Sequence, residues 1–108
     1  MELLDAALVL APDTYASEIT NVFWKYHVYS GLPGQACLAG IEFCLAVVDE
    51  YISSVQLCRE TFFEASKTEH PVYNMLYLIV ARRHHAGLLT KDKKLAELAF
   101  QSGVRVVS

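Results

Sequence analysis

The sequence predicts an α/β domain dominated by helices, with a short and mostly parallel sheet. Three observations lead there. Five segments place apolar residues at helical spacing, and short runs rich in Leu and Val lie between them. The runs are bounded by Pro, Gly and Asp, which punctuate strands and turns. The length of 108 residues allows a single domain spanning 1–108.

The elements follow in chain order. Ala7-Leu8-Val9-Leu10 stops at Ala11-Pro12-Asp13 and reads as a strand entering a turn. Asp13 or Thr14 can cap the next helix, whose apolar positions are Tyr15, Ile19, Val22 and Tyr26. Gly31-Leu32-Pro33-Gly34 breaks that helix. A second has Cys37, Leu38, Ile41, Cys44, Leu45 and Val48 on one stripe. Asp49-Glu50-Tyr51-Ile52 leaves room for an extended piece. Val55, Cys58, Phe62 and Ala65 set the inward face of a third helix. Pro71 opens a fourth that buries Val72, Met75, Leu76 and Ile79. Leu88-Leu89-Thr90 is strand-like. Asp92 to Gln101 is helical, with Leu95, Leu98 and Ala99 inward and Gly103 as its stop. Val104-Arg105-Val106-Val107 closes as a strand.

Composition narrows the class. With 54% hydrophobic and 19% charged residues, the chain can build a core and is not of the disordered type. The longest apolar run, Met75–Ala81, has seven residues, against the ~20 a bilayer span needs. No membrane segment is expected. Met1-Glu2-Leu3-Leu4-Asp5 lacks the basic start of a secretory signal, so a cytoplasmic location is expected. The net charge of −3 argues against a strongly basic nucleic-acid binder. It divides unevenly, at −6 over residues 1–54 and +3 over residues 55–108. Such a split can set an acidic site beside a basic rim; solvated outer helix faces produce it equally well. Cys37, Cys44 and Cys58 fit no C-x-x-C pattern and read as reduced thiols.

Three segments carry a resemblance. They are Ala11-Pro12-Asp13-Thr14-Tyr15-Ala16-Ser17-Glu18-Ile19-Thr20-Asn21, His70-Pro71-Val72-Tyr73-Asn74-Met75-Leu76-Tyr77, and Leu88-Leu89-Thr90-Lys91-Asp92-Lys93-Lys94-Leu95. In this order and spacing the chain resembles the PIN domain, and within it the VapC-type toxin ribonucleases of toxin–antitoxin pairs. The resemblance implies a Mg²⁺- or Mn²⁺-dependent nuclease that cuts RNA with acids gathered at the strand ends. Clustering is chemically necessary, because a hard divalent cation takes oxygen ligands and must both activate water and neutralise a phosphate.

Carried over residue by residue, Glu18 matches the family's helix acid, with Asn21 one turn on. Asp92 matches the acid after the penultimate strand, with Thr90 two residues before it. Glu18 and Asp92 are the implied metal ligands. Asn74 stands where the family usually has Asp; its oxygen can ligate and orient but brings no charge and cannot act as a base. The family's opening strand, which ends in Asp, has no counterpart. Asp5 lies only eight residues before Asp13, so Met1–Ala7 reads as the end of the preceding helix and Asp5 as a solvated residue. A start upstream of Met1 would account for the gap equally. Two of four principal acids are thus absent or replaced, which implies weak metal binding and impaired activity.

The resemblance also places the missing strand mid-sheet, between Leu8–Leu10 and Leu88–Thr90. An empty slot would leave backbone groups unsatisfied, at roughly 1–3 kcal/mol for each buried one. The chain is therefore expected to pair those strands directly, to dimerise or swap an element, or to dock another polypeptide. Arg82, Arg83, Lys91, Lys93 and Lys94 are candidate RNA contacts, and equally a solvated cationic helix end with His84 and His85. Phe23-Trp24-Lys25-Tyr26-His27-Val28-Tyr29 carries rings on all sides of one helix. It points to a homodimer or other oligomer, or to an antitoxin partner. Glu18 and Asp92 also have ordinary alternatives, as a solvated helix acid and a helix cap.

Overall fold

The structure, a computed structural model, describes residues 8–107. The reading of Met1–Ala7, Asp5 included, falls outside them. The order is β1 (Leu10–Pro12), α1 (Tyr15–Ser30), α2 (Gly34–Val47), β2 (Glu50–Ile52), α3 (Ser54–Thr68), α4 (Val72–Arg83), β3 (Leu88–Leu89), α5 (Lys93–Gln101) and β4 (Val106–Val107). Helices dominate, and both strand pairs are parallel, so the α/β class holds.

The fourth helix organises the rest. Met75, Leu76, Leu78, Ile79, Val80 and Ala81 of α4 are all buried, as in a helix surrounded by protein. It packs against α3, α5, β1 and β3. Val72, expected inside, is exposed in the first turn. The core continues through Leu57, Ile52, Leu88, Leu95, Ala99 and Val104.

The third helix turns a different face inward from the one its large apolar residues suggest. Leu57, Thr61 and Ala65 are buried, whereas Val55, Cys58 and Phe62 are exposed. The physical reason lies next to that stripe. Glu60 and Glu64 bind Arg82, and Glu60 also binds Arg83, at the end of α4. These pairs hold the 57–61–65 side of α3 against α4, and the small Thr61 and Ala65 let the helices approach.

The first strand also differs. Pairing begins at Leu10 and runs through Ala11 and Pro12, in register with Glu50, Tyr51 and Ile52. A proline fits because an edge facing away from the partner strand needs no N–H from it. Of the two expected caps of α1, Thr14 takes the N-cap position, but its side chain makes no capping bond. The Asp13 carboxylate instead accepts from the Ser54 N–H at 3.1 Å, tying the end of β1 to the start of α3.

The first two helices pack chiefly on each other. Gly40 lets them close: a Cβ there would stand 2.5 Å from the Phe23 ring. No residue of α1 is buried, so the expected stripe is only half-covered at Tyr15 and Ile19 and exposed at Val22 and Tyr26. On α2, Leu38 is exposed and Val48 lies beyond the helix end, while Cys37 is buried. The molecule is correspondingly elongated, with extents of 41 × 30 × 26 Å.

The strands form two separate sheets, β1–β2 and β3–β4. Direct pairing across the expected gap is therefore not how this chain closes it. At the other end of the chain, α5 is stopped by Gly103 in a left-handed conformation, φ +78°, and β4 is confined to Val106–Val107. Among the described residues no helix is long and apolar enough to cross a membrane. All three cysteines are free thiols.

Removing a core side chain from the central helix should be far more damaging than trimming the exposed face of α3. Leu78→Ala is expected to cost about 2–5 kcal/mol in urea unfolding. Val55→Ala, at a position 81% exposed, should stay within about 0.5 kcal/mol.

Candidate functional site

Two residues one turn apart on α4, Asn74 and Tyr77, reach two acids distant in sequence. The Tyr77 hydroxyl lies 3.0 and 3.1 Å from the two carboxylate oxygens of Glu18, in the first turn of α1. The Asn74 side-chain amide donates to Asp92 Oδ2 at 3.0 Å. Residues three apart share a helix face, with Cβ atoms ~5–6 Å from each other. Glu18 and Asp92 are thereby brought to the same side of α4.

Asp92 is the most heavily engaged of the acids. Its Oδ1 accepts from the Leu95 N–H at 3.1 Å and caps α5. Its own N–H donates to Thr90 Oγ1 at 3.0 Å, so Thr90 sets the turn that presents the carboxylate. The Leu95 N–H leads in holding the Asp92 carboxyl below the usual aspartate range. Desolvation, next in size, opposes this, while the electrostatic influence of His70, the Lys94 amide and Asn74 support it. His70 Nε2 stands 3.6 Å from Oδ2, beyond hydrogen-bond reach, on a side chain that is 6% exposed. That nitrogen is buried without a hydrogen-bond partner.

Tyr77 is half-buried against Tyr15. Burial first, then the Glu18 charge and its hydrogen bond, push the phenol well above the ordinary tyrosine range. It therefore stays protonated and serves as a hydrogen-bond donor to Glu18. Asn21, one turn beyond Glu18, is exposed.

The candidate cations separate into two groups. Lys91, Lys93 and Lys94 are exposed around Asp92. Arg82 and Arg83 lie eight or more residues along α4 from Asn74, about 12 Å away, and are bound to Glu60 and Glu64. Burial disfavours the Glu60 charge, but hydrogen bonds from Arg82 and Arg83 outweigh it and lower its carboxyl. Those two arginines brace α3 against α4 and do not join the lysines. Cys58 is exposed, and its thiol donates to Ser54 O at 3.1 Å.

Two participants went unnominated by spacing. Tyr77 lies 59 residues from Glu18, and only its i+3 relation to Asn74 hinted at a shared face. His70 carried no signal beyond its place before Pro71.

The donor set does not suit a tightly held Mg²⁺ or Mn²⁺. Such ions need several oxygen ligands with geometry to match. Among the described residues no three His, Cys, Asp or Glu side chains converge into a metal-holding group. Glu18 and Asp92 each already have a protein donor. No family model matches the chain, and no curated protein does.

Lowering the pH should release the α5 cap. Because the folded pKa of Asp92 is depressed, its contribution is present above the ordinary aspartate range and is lost as pH falls through the depressed value. Hydrogen exchange at the Leu95 amide should accelerate over that interval, and Asp92→Asn should weaken the dependence. At the alkaline end, Tyr77 should remain a phenol where a free tyrosine, at about pH 10, ionises. Stability from this group is complete below that point and is lost as pH climbs through the raised value. Ultraviolet titration of wild type against Tyr77→Phe would show the last-ionising tyrosine disappear.

Proposed function

We propose that the chain is a PIN-like domain of the VapC toxin type whose metal-dependent ribonuclease activity is impaired. The observation that carries this reading is the delivery of Glu18 and Asp92 to one side of α4 by Tyr77 and Asn74. These are the positions where the motif resemblance implies a metal site. The exposed Lys91, Lys93 and Lys94 beside Asp92 suit phosphate contact. A Mg²⁺ or Mn²⁺ ion held by Glu18 and Asp92 would supply an activated water and charge neutralisation for phosphodiester cleavage. With two acids in place of three or four, and Asn74 where a charge is wanted, affinity for either ion falls.

The protein groups have definable roles in that site. Tyr77 fixes the Glu18 carboxylate, Asn74 orients Asp92 without accepting its proton, and Thr90 shapes the turn that holds it. The test is RNA cleavage with added Mn²⁺. At most trace, metal-dependent cutting is expected, and Asp92→Ala should abolish it. Cutting that survives Asp92→Ala would sink the site assignment.

A second reading, a non-catalytic protein acting as a homodimer or docking an antitoxin, draws on a different observation. Trp24, Tyr26, Val28, Tyr29 and Phe43 are all exposed on the α1–α2 pair, a larger apolar display than isolated surface residues make. On this reading the chain sediments as a dimer or larger oligomer. Trp24→Ala combined with Tyr29→Ala should then yield monomers with an unchanged helical spectrum. A monomeric wild type would remove the oligomer form of this reading.

A further inference from the structure

Among the described residues, the two sheets turn unpaired backbone toward a common groove. Along the first, Val9 O accepts from the Asp49 N–H at 2.8 Å, and the Val9 N–H donates to Asp49 Oδ2 at 2.7 Å. Two turns of the alternation later, the Asp13 N–H donates to Ile52 O at 2.8 Å. In an extended strand, successive residues direct their N–H and C=O to opposite sides. The N–H and C=O of Leu10, and the C=O of Pro12, therefore point away from β2. In the second sheet the Leu88 N–H donates to Arg105 O at 2.7 Å, so Gly87 and Leu89 point away from β4.

Between these edges lies a cavity of about 460 Å³. Leu10 and Pro12 line one wall, Gly87 and Leu89 the other, and Tyr77 and Val80 of α4 contribute to it. Its surface is mostly apolar, and Arg105 is the charged side chain among the described residues lining it. A small apolar ligand would fill such space but would leave the main-chain donors and acceptors on both walls unanswered. A polypeptide strand answers both.

We infer that this groove receives an extended, apolar segment of another polypeptide, which pairs with β1 and β3 together and joins the half-sheets into one. The described residues offer no spare strand: Leu10–Pro12 is taken by Glu50–Ile52, and Leu88–Leu89 by Val106–Val107. A second copy brings the same occupied strands. The segment is uncharged where it lies over α4, and it carries an acidic side chain at the Arg105 end. Specificity resides in alternate side chains and affinity in the main chain. Whether the protein cleaves RNA has no bearing on this pairing.

The probe is a display library of linear peptides of about eight residues, enough for one strand. It is selected on the wild-type chain and counter-selected on Leu89→Glu, a substitution at a side chain already 52% exposed. Enriched peptides are expected to share an apolar run with an acid near one end. The best should bind wild type at least about tenfold more tightly than Leu89→Glu, and N-methylation of alternate residues should abolish binding. Arg105→Ala should erase the preference for the acid while leaving the apolar run selected. In the isolated chain the Leu10 and Leu89 amides should exchange rapidly and become protected on adding peptide. Failure of any sequence to enrich, or binding that survives N-methylation, would overturn the inference. So would slow exchange of both amides in an isolated monomer, where the chain's own residues fill the groove, or a dimer that Leu89→Glu dissociates.

Discussion

The burial of a full turn of α4, Leu78 to Ala81, is the constraint on which the remaining structure rests. Six of its twelve residues are buried, and fully burying an aliphatic side chain of this kind stabilises by about 1.5–3 kcal/mol. Each sheet touches this helix through one strand, and α3 and α5 lie against it as well. The apolar register that anchors α4 also fixes where its polar positions emerge. Asn74 and Tyr77 come out at the boundary of the core, half-covered, and so their partners Glu18 and Asp92 are placed by hydrophobic packing before any electrostatic term acts.

That order of causes explains the character of the site. Each acid is satisfied by hydrogen bonds from groups that the fold holds still: a phenol for Glu18, and a helix N-terminus with an amide for Asp92. Helix N-termini favour negative charge, so Asp92 has a structural reason to be ionised whether or not it meets a ligand. His70 is the unresolved polar element of the cluster, with a buried nitrogen directed at a carboxylate that it does not reach. Such a group keeps its desolvation cost unless something bridges the 3.6 Å interval.

Much of this was legible from residue order, for identifiable reasons. All five helices follow from apolar periodicity, and each strand lies at or beside a short apolar run. The Asp92 cap follows from a single residue in front of a helical pattern. Periodicity failed where burial was assigned by size. On α3 the large residues Val55, Phe62 and Phe63 face outward, and the inward stripe uses Thr61 and Ala65. The decisive contacts there, Glu60 and Glu64 with Arg82 and Arg83, are 18 to 23 residues apart. Local spacing carries no information about such pairings. The same limit hid Tyr77 behind Glu18, and it hid the fact that α1 buries none of its rings.

Among the described residues no strand ladder joins the two sheets. Sheets joined through a strand ladder move as one body, since sliding breaks several bonds together. Here the β1–β2 and β3–β4 pairs are coupled through side-chain packing on α4, which is short-ranged and without direction. Each pair can tilt on the helix without disturbing its own ladder. The groove width is then set by the side chains packed between the two pairs rather than by a shared ladder.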